Sequence, residues 1–359
     1  MAVKHNSILI TGGCGFIGSN LAVYLKKKYP RLKITSLDNL SRRGSKFNVG
    51  RLKDKGIDFI KGDIRNQKDL DKLPVFNLLI ECSAEPSVLA GYNESPRYVI
   101  DVNLLGAINC FELARKNKAD VVFLSTSRVY PYDRINKLKI IKDNTRFRWP
   151  DGQNKNIPGW SQEGIDTNFS LEGIRSMYGA TKLSAEIILQ EYISMYGLKG
   201  VINRCGVVAG PWQFGKVDQG VFSLWMLAHY FKKSLNYIGF GGEGRQVRDL
   251  LHVDDLCRLI DIQINSMDKI SGKIYNVGGG KDISLSLKEA TELCEKISGN
   301  KIDIKSDKNS RPADLAIYIS DNGKAYKELG WQPKKSAKEI LKDTFEWIKD
   351  NENKLQKLI

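Results

Sequence analysis

The first two hundred residues alternate short apolar, β-branched runs with longer amphipathic stretches. Strands are predicted at 7–11, 33–37, 58–61, 77–82, 120–125 and 200–203, with helices between them, for example at 15–28 and 103–116. This alternation is typical of a parallel sheet with helices on both faces. Because crossovers between parallel strands are right-handed, most other topologies are excluded and a doubly wound order is the simplest that remains. We therefore predict an α/β fold with a Rossmann doubly wound parallel sheet.

The pattern changes at two places further along the chain. Residues 131–175 are polar, contain tryptophan and glycine, and have no clear period, so we predict a long excursion there. Long ordered loops usually have a function. After residue 203 the composition changes again. We predict a Rossmann domain over 1–203, to which the chain returns around 251–282, and a smaller C-terminal substrate-binding region mainly over 204–359.

Composition narrows the possible partners and the cellular location. The chain has 359 residues, 42% of them hydrophobic, and a formal net charge of +15. Its lysines are spread along the whole sequence, which favours a lysine-rich surface over nucleic-acid binding, although a small polyanionic ligand also fits. No apolar run approaches the roughly 20 residues of a membrane helix, and no secretory segment is recognisable at the start. We expect a cytoplasmic protein with no membrane or nucleic-acid partner.

Cysteine and histidine give no sign of a metal site. The six cysteines are scattered and form no CxxC motif, and the chain has three histidines. Ligand clusters with the spacing of zinc sites are therefore missing from the sequence. We expect reduced thiols, mostly in packed positions, and no metal.

Glycines follow the first predicted strand at a spacing of three, at Gly12, Gly15 and Gly18. Glycine allows a tight turn and a close approach of backbone to a pyrophosphate, and the following helix offers free N–H groups and a positive dipole. This motif alone is also compatible with a plain tight turn.

An aspartate ends the second predicted strand, about 20 residues after the last glycine of the motif. Asp38 can accept hydrogen bonds from ribose hydroxyls, and its charge repels a 2′-phosphate, which favours NAD. Arg42 and Arg43 are close enough in sequence to leave NADP open. Asp63, after the third strand, either meets the adenine or caps a helix.

A tyrosine and a lysine lie four residues apart in a predicted helix, at Tyr178 and Lys182. A lysine ammonium beside a phenol lowers its pKa from about 10 towards neutrality, so the phenolate can act as a base. Thr126 ends the fifth predicted strand, at the sheet edge where α/β proteins bind ligands. A surface pair of tyrosine and lysine is the alternative.

Six segments occur in an order that resembles the NAD-dependent epimerase/dehydratase family, a branch of the extended short-chain dehydrogenases/reductases. They are TGGCGFIG, DNLSRRGS, GDIR, STSRVY, YGATK and RDLLHVDD, and the likeness runs from residue 8 to about 331. DNLSRRGS, GDIRN, the DQG within 217–221 and GRQVRDLLH are similar to family members that act on a CDP-sugar.

The resemblance implies site residues, a cofactor and partners. NAD is the implied cofactor, and a nucleotide-diphosphate sugar, with CDP favoured, is the implied substrate. The implied assembly is a homodimer or homotetramer, with the dimer formed through the helices near Asn103 and Tyr178. The implied catalytic residues are Thr126, Tyr178 and Lys182, and the implied substrate-binding residues are Thr126, Arg248 and Arg311. The implied cofactor-binding residues are Gly12, Gly15, Phe16, Ile17, Gly18, Asp38, Asn39, Ser41, Arg42, Asp63, Ile64, Ser83, Ala84, Glu85, Asn103, Tyr178 and Lys182.

Several positions depart from the family pattern or leave alternatives open. Pro131, Glu81 and the segment 83–85 differ from the usual residues, which affects how the sugar is oriented. Family dehydratases carry Asp-Glu after the threonine, whereas this chain has Ser127 and Arg128, so epimerisation is favoured over dehydration. A 4-epimerase, a nucleotide-sugar reductase and a non-catalytic NAD-binding protein stay open. Arg248 and Arg311 suit phosphate oxygens but could instead be structural ion-pair partners.

Overall fold

The structure is a computed structural model that describes residues 4–152, 156–215 and 219–356. Its strands are β1 Ser7–Thr11, β2 Lys33–Asp38, β3 Asp58–Lys61, β4 Leu78–Glu81, β5 Asp120–Thr126, β6 Ile141–Lys142, β7 Phe147–Arg148, β8 Trp160–Ser161, β9 Gly164–Ile165, β10 Gly200–Cys205, β11 Val207–Ala209, β12 Leu235–Ile238, β13 Val247–His252, β14 Ile274–Val277, β15 Ser284–Ser286, β16 Ile304–Asp307 and β17 Ile317–Tyr318. Its α-helices are α1 Phe16–Lys28, α2 Ser45–Lys53, α3 Gln67–Leu70, α4 Arg97–Ile100, α5 Gly106–Asn117, α6 Tyr132–Ile135, α7 Met177–Tyr196, α8 Val221–Tyr230, α9 Val253–Ile270, α10 Leu287–Ser298, α11 Gly323–Leu329, α12 Ala337–Asp350 and α13 Glu352–Gln356.

The large sheet has seven strands in the order β14-β10-β5-β4-β1-β2-β3. β1 pairs in parallel with β2 on one side and with β4 on the other, so the chain winds outwards to β3 and then returns to the opposite side of β1. This order confirms the predicted doubly wound α/β fold. The register aligns Thr11 with Leu37 and with Glu81, and Glu81 with Phe123. These residues therefore form one row near the carboxyl ends of four neighbouring strands.

The chain divides into two compact units, and the first contains most of this sheet. It comprises Met1–Thr126, Met177–Arg204 and Leu256–Tyr275. Its core is built from apolar strand residues and from the inner faces of α5 and α7. Phe111 of α5 meets Phe123 of β5 edge to face, with ring centroids 5.4 Å apart. Helices α5 and α7 are thus packed on the sheet around the middle of β5.

The second unit comprises Ser127–Ser176, Cys205–Asp255 and Asn276–Ile359. Its core brings α8 against α10 and α12, with Phe222, Trp225 and Trp347 among the buried side chains. The predicted excursion at 131–175 lies in this unit, and its described part contains α6 and the two-stranded ribbons β6-β7 and β8-β9. The side chain of Arg146 holds the excursion to Glu289 at the start of α10.

Three further observations concern the cysteines, membrane-spanning helices and metal ligands. All six cysteines are free thiols, and five are buried, as predicted. Among the described residues, no helix is both long and apolar enough to cross a bilayer. Nor do any three His, Cys, Asp or Glu side chains within those ranges gather as metal ligands would.

Candidate cofactor and catalytic site

The glycine motif forms the turn between β1 and α1. Gly12 has a φ of 62°, and a Cβ there would lie 2.9 Å from the backbone of Cys82. A Cβ on Gly18 would lie 2.4 Å from the carbonyl oxygen of Gly12. No side chain caps α1, and its first turn, which includes Phe16 and Ile17, contains no acidic residue. The N–H groups at this end of the helix can therefore face an anion.

Asp38 lies beside this turn, at the carboxyl end of β2. Its carboxylate accepts hydrogen bonds from the backbone N–H of Cys14 at 3.0 Å and of Leu40 at 2.7 Å. Burial raises the pKa of this carboxyl, and the backbone donors oppose that shift. Asp38 thus fixes the loop after β2 against the glycine turn, where a ribose would meet it.

The loops after β2 and after β4 are joined by an ion pair. A guanidinium nitrogen of Arg42 lies 3.2 Å from each carboxylate oxygen of Glu85. Asn103 holds the backbone of Glu85, because its amide accepts from the Glu85 N–H at 2.8 Å and donates to the Glu85 carbonyl at 3.0 Å. Ser83 and Ala84, between β4 and Glu85, are half-buried. Arg42 is thereby engaged with a carboxylate, which weakens the case for a 2′-phosphate partner.

Asp63 follows β3 and interacts with two neighbouring side chains. It accepts hydrogen bonds from the Asn39 amide at 2.9 Å and from the guanidinium of Arg65 at 2.7 Å. Arg65 holds the pKa of Asp63 well below its usual range. The interpretation of Asp63 as a helix N-cap was wrong, because α3 begins at Gln67 and Asn66 caps it. Ser41 is exposed beside Asn39, and the side chain of Ile64 is buried in the core.

The three predicted catalytic residues lie on β5 and α7. Thr126 is the last residue of β5 and is buried, and Tyr178 is half-buried in the first turn of α7. Lys182, one turn later, is 1% exposed. Its ammonium nitrogen lies 4.0 Å from the ring centroid of Phe123 on β5. The structure therefore places the lysine against the same strand that ends in Thr126.

Two buried ion pairs hold α7 to the sheet. The ammonium of Lys182 lies 3.4 Å from a carboxylate oxygen of Glu81, which ends β4 and is fully buried. One turn further along α7, Glu186 accepts from the Arg204 guanidinium at 2.7 and 3.0 Å and from the Ser125 hydroxyl at 2.5 Å. The sequence analysis missed Glu186 and Arg204. The available signal was one charged residue in each of two apolar surroundings: Glu186 on an apolar helix face and Arg204 in an apolar strand.

The two predicted phosphate-binding arginines lie in the second unit. Arg248 of β13 makes an ion pair with Asp314 at 2.8 Å, so the structural alternative is observed for this residue. Burial lowers the pKa of its guanidinium to about 10. Arg311 is half-buried, and its carbonyl accepts a hydrogen bond from the backbone N–H of Asp314. Arg128 donates to the carbonyl of Ala313 at 3.1 Å. Phosphate binding by Arg248 and Arg311 stays a prediction.

One motif falls partly outside the described residues. Of the DQG segment within 217–221, Val217 and Asp218 lie beyond the part of the chain that the structure describes. Gly220 is described, has a φ of 67° and precedes α8.

Comparison with known proteins defines the class of this enzyme. The family model described as the NAD dependent epimerase/dehydratase family matches residues 8–278. The chain belongs to the NAD dependent epimerase/dehydratase family. It is an NAD-dependent enzyme of the nucleotide-sugar epimerase type, so the family and cofactor predicted from the motifs are confirmed.

Individual relatives cover nearly the whole chain. CDP-paratose 2-epimerase of Salmonella typhi is 30% identical over 353 residues, which span 95% of this chain and 98% of that protein. A putative UDP-glucose 4-epimerase of Methanocaldococcus jannaschii is 29% identical over 347 residues, with 96% and 99% covered. The solved UDP-glucose 4-epimerase of Thermus thermophilus in complex with NAD is 25% identical, with a TM-score of 0.76 and with 96% of this chain and 99% of that chain covered.

Proposed function

We propose that this enzyme is a nucleotide-sugar epimerase that inverts one sugar carbon through transient oxidation to a ketone, with CDP-paratose as its substrate and C-2 as the inverted carbon. The observation that carries the proposal is the 30% identity to CDP-paratose 2-epimerase along 95% of this chain. The placement of Thr126, Tyr178 and Lys182 around the ends of β5 and α7 supports the chemistry.

The residues around the glycine turn fit a dinucleotide. The turn requires glycine at Gly12 and Gly18, because a Cβ at either would clash with the backbone of Cys82 or Gly12. The uncapped end of α1 suits a pyrophosphate. Asp38 stands at the end of β2, where ribose hydroxyls are bound in this fold. When bound, NAD would supply the hydride acceptor of the oxidation and the hydride donor of the reduction.

The chain's own residues handle the proton. The Tyr178 phenolate removes the proton from a sugar hydroxyl, and the Lys182 ammonium stabilises the phenolate. Thr126 hydrogen-bonds the reacting oxygen. The keto sugar then presents its other face before the proton and hydride are returned, so configuration inverts without net redox change.

The residues after Thr126 favour epimerisation over dehydration. Expulsion of a sugar oxygen needs an acid and a base, and Ser127 and Arg128 stand at those two positions. Neither a serine hydroxyl nor a guanidinium ionises near neutral pH, so these two side chains do not form the acid and base pair. Arg128 is moreover bonded to the carbonyl of Ala313.

Arg248 and Arg311 are the proposed contacts of the nucleotide diphosphate. Planar guanidinium groups bind phosphate oxygens in pairs. Arg248 keeps its ion pair with Asp314 and offers its remaining N–H groups to the ligand. CDP is the favoured nucleotide because of the relative named above.

A homodimer or homotetramer is the proposed assembly. Large apolar side chains are exposed at two places in the first unit, at Tyr98 and Leu105 before α5 and at Ile187 and Tyr196 on α7. Sedimentation of the purified protein tests the proposal, and a monomer at micromolar concentration would contradict it.

The decisive experiment is a product assay of the purified enzyme. CDP-paratose, UDP-glucose and UDP-galactose are incubated separately, with and without added NADH, and products and cofactor are quantified. We expect CDP-tyvelose from CDP-paratose, with no net consumption of NADH. Tyr178→Phe is the matched control and should fold and bind NAD but not turn over.

The other outcomes of this assay distinguish the alternative functions. Turnover of the UDP-hexoses alone would favour a 4-epimerase, for which the 29% identity to the Methanocaldococcus jannaschii protein is the supporting observation. Stoichiometric loss of NADH would indicate a reductase. Bound NAD without any turnover of these or other nucleotide sugars would contradict the catalytic proposal.

A further inference from the structure

Glu81 is a fully buried carboxylate that the proposed mechanism does not use. It ends β4, in the row of strand ends that also contains Thr11 and Phe123. One carboxylate oxygen accepts from the backbone N–H of Ser83 at 2.8 Å, and the other lies 3.4 Å from the ammonium nitrogen of Lys182. The carboxylate is therefore held by its own loop and directed at the lysine.

The other groups that face Glu81 are neutral near neutral pH. Thr11 of β1 contributes a hydroxyl, and Phe123 of β5 contributes an aromatic ring. Cys110 of α5 contributes a thiol whose pKa is raised well above its usual value, first by burial and then by Glu81. Among the described groups that act on the pKa of Glu81, Lys182 supplies the cationic charge. Burial raises the pKa of Glu81, and Lys182 opposes that rise.

The pair of Tyr178 and Lys182 can lose one proton in two ways. The remaining proton stays on the lysine, which leaves ammonium and phenolate, or it stays on the tyrosine, which leaves a neutral amine and a phenol. The first arrangement contains a base and the second does not. An uncompensated ammonium at 1% exposure is disfavoured by desolvation, which shifts the balance towards the second arrangement.

We propose that Glu81 is a positioning residue that acts through Lys182: its carboxylate keeps the remaining proton on the lysine, so that Tyr178 is the group that becomes the base. A negative charge in contact with the nitrogen stabilises ammonium over amine. The lysine keeps two further N–H donors for other partners. This inference rests on the proposed roles of Tyr178 and Lys182.

The charge also sets the pH at which the pair loses its first proton. Removing a nearby negative charge makes loss of a proton from the pair easier, so the acid limb of the kcat profile should move to lower pH. The same removal shifts the remaining proton towards Tyr178, so the plateau should fall. A purely structural role for Glu81 would not produce these two changes together.

The test is Glu81→Gln, which preserves shape and the acceptor for Ser83 while removing the charge. We expect kcat on the plateau to fall on the order of tenfold and the acid limb to move down by about one pH unit. Glu81→Asp, which keeps the charge, should retain the wild-type acid limb. Glu112→Gln, the same substitution at a partly exposed carboxylate of α5, is the matched control.

A second readout is independent of turnover. The phenolate absorbance of Tyr178 is followed against pH, with Tyr178→Phe as the reference, and Glu81→Gln should reduce its amplitude near neutral pH. If Glu81→Gln does not fold, the carboxyl carbon-13 resonance of Glu81 in the wild-type protein shows whether this carboxyl is ionised. It is assigned by its loss in Glu81→Asp, and an ionised carboxylate at neutral pH is required.

The outcomes separate this inference from the proposed function. A wild-type plateau and acid limb in Glu81→Gln, or a protonated Glu81 at neutral pH, would overturn the role of Glu81 alone. Turnover that survives in Tyr178→Phe would instead remove the proposed base, and with it the mechanism on which the inference rests.

Discussion

Helix α7 carries two buried ion pairs one turn apart, and their geometry differs. Glu186 accepts two hydrogen bonds of 2.7 and 3.0 Å from Arg204 on one oxygen, and on the other oxygen it accepts from Arg204 at 3.2 Å and from Ser125 at 2.5 Å. Lys182 meets Glu81 through one contact of 3.4 Å. All four charged side chains are at most 3% exposed. Burial alone therefore does not distinguish the two pairs, whereas the number and length of the hydrogen bonds do.

The difference indicates two uses of buried charge on one helix. A carboxylate whose lone pairs are occupied by a guanidinium and a hydroxyl fixes α7 to β5 and β10. An ammonium with one distant partner keeps donors for a reacting group. Buried pairs contribute little net stability compared with apolar residues, but breaking one leaves a costly uncompensated charge. The two pairs should therefore respond differently when one partner is removed.

The largest effect is expected on turnover, from Lys182→Met. Loss of the ammonium should lower kcat on the order of a thousandfold, because the phenolate loses its stabilising charge. Stability should change little, because burial already raises the pKa of Glu81 and the carboxyl can take up a proton. Steady-state kinetics and urea denaturation measure the two quantities. A variant with normal kcat would show that catalysis does not need the Lys182 ammonium.

The next effect is expected on stability, from Glu186→Gln. The substitution would remove the negative charge that the buried Arg204 guanidinium contacts, and the free energy of unfolding should fall by about 3–5 kcal/mol. Chemical denaturation measures this change. The double variant Glu186→Leu with Arg204→Met should recover most of the loss, because no charge remains to be desolvated.

An exposed ion pair provides the control for that comparison. Arg134 and Glu172 lie 2.9 Å apart with side chains 42% and 85% exposed. Glu172→Gln should change the free energy of unfolding by less than about 1 kcal/mol. A loss as large as that of Glu186→Gln would show that burial does not account for the difference.

Much of the first unit could be predicted from the sequence, because periodicity and motif spacing are local. β1 and β3 begin and end where the apolar runs predicted them. The helix predicted from residue 103 begins as an α-helix at Gly106, after a π-helical turn at Asp101–Leu105. The seventh strand, β14, lies within 251–282, where the chain was expected to return to this domain, but it was not predicted as a strand. It pairs with β10, which lies about 70 residues earlier in the chain, so its place in the sheet depends on tertiary packing.

The site shows the same limit. Gly12, Asp38 and Tyr178 could be proposed as site residues from the sequence, because their roles follow from spacing relative to a strand or helix. Glu186 and Arg204 could not, because an ion pair depends on which side chains tertiary packing brings together. Glu81 was recognised as an unusual residue at its position, but its contact with Lys182 is visible only in three dimensions.

The Arg42–Glu85 pair bears on how often the cofactor is exchanged. It ties the loop after β2 to the loop after β4, and β1 lies between those two strands in the sheet. The link thus spans the end of β1, where the glycine turn begins. We expect this link to slow escape of the dinucleotide. Because an epimerase restores its dinucleotide in every cycle, slow exchange would not lower turnover. The turnover rate of such a protein would not change when the concentration of free nicotinamide nucleotides around it rises or falls.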